Sequence, residues 1–342
     1  MGFVETAIQA GERIAWPDAI TKVAIEGLVG RTNRKLMNAG PDADAAFAQA
    51  MTDYPVAMNT KEANEQHYEL PAEFFALVLG PQRKYSSCLY KSDTDTLTQA
   101  EEHALRETAA HAGLENGQQV LELGCGWGSL SLWMARNYPG SRIKAVSNSN
   151  SQRRFITAKA EAEMLTNLTV ITADMNGFAA TERFDRIVSV EMFEHMANWR
   201  SLLERARGWI KDDGRMFLHI FSHQHAPYRF ATEDKEDWIA QHFFTGGIMP
   251  SHRLIHQFGD SFRVEEDWRW SGEHYRRTAD DWLSNYDKNA SEILEILRQV
   301  YGKDAKLWQR RWRLFFLATR GLFGHAGGEP WGVSHYRLKP AP

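Results

Sequence analysis

Cysteine is scarce. Cys88 and Cys125 are the only two in 342 residues, too few for a disulfide framework or for a structural zinc site built from thiolates. Excess charge is also lacking: 40 basic against 44 acidic residues leave a net charge of −4, so no global positive field favours nucleic acid as a partner. No run of about 18 uninterrupted apolar residues occurs, which excludes stable membrane insertion through an ordinary spanning helix. The opening MGFVETAIQAGERIAW has neither the basic segment nor the apolar core of a secretory signal. Met1-Gly2 to Thr6 fits the permissive myristoylation pattern, but no polybasic second signal follows. These absences predict a cytoplasmic protein without internal repeats or low-complexity tracts. They leave its oligomeric state open, a homodimer included.

What is present concentrates at residues 121–129, LELGCGWGS. An apolar strand ends at Leu123, Gly124, Gly126 and Gly128 permit backbone shapes and close approaches that a side chain would block, and a helix follows from Ser129. The spacing E-x-G-x-G-x-G departs from the dinucleotide pattern G-x-G-x-x-G, which Leu130 and Ser131 do not continue. It resembles motif I of S-adenosylmethionine-dependent methyltransferases, in which the acid matching Glu122 lies near the methionine part of the ligand. A tight strand-to-helix turn without a ligand is the competing reading.

Around that elbow the pattern alternates strand and helix. Strands are expected at 119–125, 142–147, 168–173, 184–190 and 215–221, and helices at 98–112, 151–165 and 199–209. This is an α/β fold with a doubly wound sheet. Asp212-Asp213-Gly214 reads as the turn before the fifth strand, and 262–270 with 331–338 as a late antiparallel hairpin at the sheet edge. Residues 1–97 read as an N-terminal helical cap over the cofactor, and 98–342 as the core. Within the core, about 224–258 form a helical lid insertion over the carboxyl ends of the strands, where such sheets bind ligands.

After the second strand an Asp or Glu would be the ordinary ribose ligand, but the chain offers SNSNSQ. Asn148 and Gln152 can make the same hydrogen bonds with neutral groups, while Ser149 to Ser151 can also cap the next helix. At the end of the third strand Asp174 can accept from the adenine amino group, with Met175 as an apolar surface for the ring. Three loops in register make one cofactor site. The fourth strand ends in Glu191-Met192-Phe193-Glu194-His195, two carboxylates and an imidazole within five residues. Methyl transfer to nitrogen needs the free amine, so His195 is the candidate base, with Glu191 or Glu194 orienting its ring and offsetting its charge. A favourable ion pair at a helix mouth is the plainer alternative.

In order and spacing, LELGCGWGSLSLWMARNYPGSRIKAVSNSNSQ, SVEMFEHMANW, DWIAQHFFTGGIMPS, SGEHYRRTADDWLSNYDKN and FGHAGGEPWGVSHYRL resemble the coclaurine N-methyltransferase family of plant alkaloid biosynthesis. That family is a branch of the cyclopropane fatty acid synthase and mycolic acid synthase superfamily. The resemblance implies a Rossmann-like class I methyltransferase sheet with a helical cover, a small aromatic or heterocyclic amine as substrate, and Glu191, Glu194 and His195 at the deprotonation site. By the same resemblance Gly124, Gly126, Asn148, Gln152, Asp174 and Met175 hold S-adenosylmethionine, with Ser87 from the KYSSCLY segment. Phe244, in the FFTGG stretch read as a lid hinge with an apolar tip, and Trp331 are candidate pocket walls.

The same superfamily supplies a rival, methylation or cyclopropanation of unsaturated acyl lipids. There a bicarbonate accepts the proton, held by positions resembling Cys88, Glu194, His219 and Tyr275. Two departures favour the amine: Glu191 stands where the lipid enzymes commonly have a small residue, and KYSSCLY carries one inserted Ser, so no role is carried to Tyr85. A helix at 306–320 with both aromatic and basic residues could rest on an anionic membrane, or pack on the sheet with a solvated basic face. A third reading is a regulator that binds S-adenosylmethionine without catalysis.

Overall fold

The computed structural model describes residue 12 and residues 16–58, 70–230 and 238–342. The myristoylation pattern, part of the N-terminal cap and the middle of the lid lie outside these residues. Nine strands are described: β1 Gln119–Leu123, β2 Arg142–Ser147, β3 Leu168–Thr172, β4 Phe184–Val190, β5 Ile210–His223, β6 Tyr228–Arg229, β7 Ile248–Met249, β8 Phe262–Ser271 and β9 Trp331–Pro340. The main sheet has the order β3-β2-β1-β4-β5-β9-β8. Its first five strands are parallel, while β9 runs antiparallel to both β5 and β8.

The order reverses between β1 and β4, so the loops leaving these two strands face each other across a crevice. The late strands do pair antiparallel as expected, but β9 inserts between β5 and β8, leaving β8 at the edge. The expected turn at Asp212-Asp213-Gly214 is instead taken up in β5. Ile210 pairs with Phe184 and Arg215 with Arg186, so the intervening residues form an irregularity that lets the strand continue.

Helices cover both faces. Leu97–Ala112 is held at its start by a capping box between Thr96 and Gln99 and packs on β5 and β9. Its buried Glu101 accepts from the backbone N–H groups of Gln82 and Lys84, tying the 80–88 loop against the sheet. The helix Ala305–Gly324 lies on the helix Gly272–Lys288 and buries Trp312, Phe316 and Leu317. Three of its cations are engaged in ion pairs: Arg311 with Glu12, Arg313 with Asp18 and Asp287, and Arg320 with Asp280. That arrangement matches the packed amphipathic helix rather than a membrane-facing one. Among the described residues no helix is long and apolar enough to cross a membrane.

Candidate active site

Loops after β1, β2, β3 and β4 line one open cleft with about 1200 Å³ of unfilled space, the solvent at its mouth included. Residues 57–58 and 83–86 close it from the N-terminal side. The glycine loop shapes its floor. Gly124 has φ +78°, and a Cβ there would come within 2.6 Å of the Met192 side chain; Gly128 has φ +80°, with Ile156 at 2.6 Å. Only glycine combines this left-handed backbone with so close an approach. Glu122, Gly124, Gly126, Asn148, Gln152, Asp174 and Met175 all border the cleft, so the three loops read from the sequence do form one site.

The donors fit a polar ligand. Ser149 caps the helix Asn150–Ala162 by accepting from the Gln152 N–H at 3.4 Å. The Ser147 hydroxyl donates to Gln152 Oε1 at 2.6 Å, which fixes the amide and leaves its buried Nε2 without a partner among the described residues. Trp127 Nε1 and Ser129 Oγ are also buried beside the cleft with no partner among the described residues. Such orphaned groups in a native fold await a ligand or water. Asp174 accepts from the Asn176 N–H at 2.7 Å and remains exposed, while Met175 is buried.

Burial raises the Glu122 carboxyl to about 7, offset only by the hydroxyl of Ser131, which donates to it. The folded protein therefore holds this proton more tightly than the unfolded chain. The contribution to stability is complete below the unfolded value of 4.5 and is lost as pH rises through about 7. Glu122→Gln is expected to raise the urea midpoint of the cofactor-free protein at pH ~8 and to leave it nearly unchanged near pH ~4, measured by equilibrium unfolding.

Glu191, Glu194 and His195 follow β4 in a tight reversal. Glu191 adopts φ +45°, strained for a residue with a side chain, and Phe193–His195 form a short 3-10 turn. The reversal sends the two carboxylates in different directions. Glu191 Oε1 accepts from the Ser87 N–H at 2.9 Å and lies 3.2 Å from His219 Nε2; Oε2 accepts from the Tyr275 hydroxyl at 2.8 Å. Glu194 is fully buried, with Oε1 accepting from the Phe221 N–H at 2.6 Å and Oε2 without a partner among the described residues. Burial raises both carboxyls, Glu194 strongly and with a further push from Glu191.

The expected orientation of His195 by a carboxylate is not what the fold builds, since neither glutamate is hydrogen-bonded to that ring. The His195 ring stacks on Phe244 instead, with centroids 4.3 Å apart. Burial lowers its value to about 4, with the charge of Glu191 opposing the shift, so the imidazole is neutral at physiological pH and a weaker base than an exposed histidine. Glu191 and His195 both line the cleft; Glu194 does not.

The other expected positions divide. Ser87 is buried with its N–H on Glu191, and it is Ser86 that lines the cleft. His219 and Tyr275 meet at Glu191, while Cys88 sits behind them with its N–H on Thr278 Oγ1 at 3.0 Å. Burial pushes the Cys88 thiol well up, which keeps it protonated. Trp331 does not reach the cleft. It is fully buried on β9 against His223, because β9 is an interior strand. In the lid, Phe243 is core packed on Phe315 with centroids 4.6 Å apart, not an apolar tip, and Phe244 alone turns toward His195.

Sequence reasoning missed Lys84. Its buried ammonium lines the cleft and donates to Ser87 O at 2.6 Å. It also missed Met58, Met192 and Met196, which with Met175 give the cleft polarizable, adaptable walls. Methionines are not a motif; only their adjacency to the Glu191–His195 turn could have drawn attention to the last two.

The mycolic acid cyclopropane synthetase family model matches residues 57–325. The (S)-coclaurine N-methyltransferase of Thalictrum flavum subsp. glaucum is 34% identical over 298 residues, covering 86% of this chain and 82% of that protein. The enzyme of the same name from Papaver somniferum is 36% identical over 276 residues, covering 80% and 79%. A crystal structure of coclaurine N-methyltransferase bound to N-methylheliamine and SAH matches with a TM-score of 0.93 at 31% identity, covering 99% of this chain and 100% of that one.

Proposed function

Because the chain belongs to the mycolic acid cyclopropane synthetase family, and within it to the S-adenosylmethionine-dependent methyltransferases that resemble coclaurine N-methyltransferase, we propose that it methylates the nitrogen of a small aromatic or heterocyclic amine. The observation that carries this reading is the place of Glu191. Its carboxylate engages Ser87 N–H, His219 and Tyr275, and the last two are groups that the lipid-modifying relatives would need for bicarbonate. A tethered carboxylate on those donors argues for amine chemistry and against the acyl-lipid alternative.

S-adenosylmethionine, when bound, supplies an electrophilic methyl group on its sulfonium. Gln152 Nε2, Trp127 Nε1 and Ser129 Oγ would donate to it, with Asn148 and Asp174 at the rim of the cleft and Met175 offering an apolar surface to its adenine. Ser86 and Lys84 belong to the same wall from the N-terminal side. His195, neutral at working pH, takes the proton from the bound ammonium and so exposes the nitrogen lone pair. Glu191 stabilises the imidazolium across the cleft, as its electrostatic effect on His195 implies. Glu194, held as the acid by burial, fixes the backbone of β5 at Phe221 rather than exchanging protons. Residues 1–97 then act as the cap and 224–258 as the lid that excludes water during transfer. The two buried free thiols suit a reducing cytoplasm.

The purified protein is expected to convert a secondary tetrahydroisoquinoline and trideuteromethyl S-adenosylmethionine to an N-methyl product that retains all three deuteriums, read by mass spectrometry beside a panel of unsaturated phospholipids. A lipid product retaining two deuteriums would instead mean that a proton is lost from the transferred methyl and would transfer the assignment to the bicarbonate chemistry.

A further inference from the structure

Three histidines lie end to end behind Glu191. The antiparallel register of β5 and β9 sets His219 opposite His335, and His335 Nε2 is 2.8 Å from His219 Nδ1. His335 Nδ1 is 2.8 Å from His111 Nδ1, and His111 occupies the last turn of the helix Leu97–Ala112. At the inner end His219 Nε2 is 3.2 Å from Glu191 Oε1. At the outer end His111 Nε2 is 3.4 Å from Glu107 Oε1, on a side chain that reaches solvent. Trp268 stacks on His111 at 3.8 Å, and Trp270 lies against both inner rings.

A neutral imidazole has one N–H and one lone pair, so each contact in the row dictates the next. If His219 donates from Nε2 to an ionised Glu191, its Nδ1 must accept from His335 Nε2–H, and His335 Nδ1 must accept from His111 Nδ1–H. His111 then faces Glu107 favourably only as the imidazolium. If His111 is instead neutral and gives its Nε2–H to Glu107, both inner tautomers reverse. His219 then turns a lone pair to Glu191, which must be the carboxylic acid. The two arrangements contain the same number of protons. Passing to the ionised form, the Glu191 O–H bond breaks as His219 Nε2–H forms. Each inner ring releases a proton from one nitrogen as it gains one on the other, and His111 receives the last at Nδ1.

We propose that His219, His335 and His111 form a proton relay through which the ionisation of Glu191 is set from the protein surface, His335 and His111 acting as positioning residues for the methylation. This rests on the reading of Glu191 given above. The electrostatics suit the task. Burial keeps His219 and His335 well below the ordinary imidazole range, with Lys84 adding to the effect, so they pass a proton without retaining it. Burial and Arg337 also lower His111, but Glu107 and Glu266 oppose them there, as does the carbonyl end of its helix. The proton's stable positions are therefore the two ends.

The test needs no substrate. In cofactor-free protein with 15N-labelled histidine, NMR at one fixed pH is expected to show His219 and His335 reversing tautomer together between wild type and Glu191→Gln, because the two rows hold the same protons and only a change at an end of the row shifts the balance between them. Glu191→Gln, two rings away, is expected to lower the His111 midpoint by about half a pH unit, because its amide can donate to His219 and favour the reversed row. Fixed inner tautomers, or a His111 midpoint indifferent to Glu191→Gln, would overturn the relay. With tetrahydroisoquinoline as the probe amine, His111→Asn is expected to move the acid limb of kcat/KM upward by about one pH unit while keeping the plateau. A plateau lowered equally at every pH means a structural role and overturns it too. If the wild-type enzyme forms no N-methyl product, the proposed function fails, while the NMR titration still decides the relay.

Discussion

His195→Ala is expected to lower kcat/KM for amine methylation by about 10²–10³-fold, the range for loss of a positioned general base, while affinity for S-adenosylmethionine changes little. His195 follows β4 and stacks on Phe244, whereas the donors of Gln152, Trp127 and Ser129 belong to the segments after β1 and β2. Kinetics with the probe amine and calorimetry with S-adenosylhomocysteine separate the two effects. The defect should shrink when the assay pH approaches the amine's own value, roughly 10 for a lysine-like group, because solution then supplies the free base. A defect independent of pH would remove His195 from the proton step. The same neutral imidazole predicts that acidification does not protonate His195 until pH nears about 4.

Glu191→Gln is expected to lower kcat by about 100-fold, for a reason internal to its cradle. Ser87 N–H and the Tyr275 hydroxyl approach the carboxylate as donors, and His219 joins them in the tautomer that carries its proton on Nε2. An amide has one acceptor oxygen, so its NH2 must confront at least one donor, and the negative charge that would stabilise His195 as the imidazolium is gone. Glu191→Ala should be equally slow but partly restored by millimolar formate or bicarbonate, small anions that match the vacated donors. Absence of any restoration, measured as kcat against added anion, would mean that the cradle does not hold its shape without the tether.

That the three strand-end loops proposed for the cofactor meet at one cleft was legible because their signals are local. Glu122 to Gly128, Asn148 to Gln152 and Asp174-Met175 each sit on a single strand-to-helix turn, and the parallel sheet brings such turns together without further information. The acid-base half was legible in its members but not in its connections. Whether Glu191 faces His195 or His219 depends on a left-handed backbone at a residue other than glycine, and no spacing announces that. His335 and His111 were invisible for a related reason: their partnership exists only in the register between β5 and β9 and in the seat of a helix more than two hundred residues away in sequence. The placement of Trp331 failed because β9 entered the sheet's interior instead of its margin.

That interior position also constrains how the chain is made. β8 pairs with no strand of the sheet but β9, and β5 waits for β9 along the edge opposite β4. Since β8 ends at Ser271 and β9 begins at Trp331, the ribosome must add some sixty residues while two hydrogen-bonding edges stay open, one of them on the strand that bears His219. Unpaired edges are where nascent chains stick to one another. The last strand thus serves as a clasp, and until it is threaded between its neighbours both edges remain open to pairing with other chains.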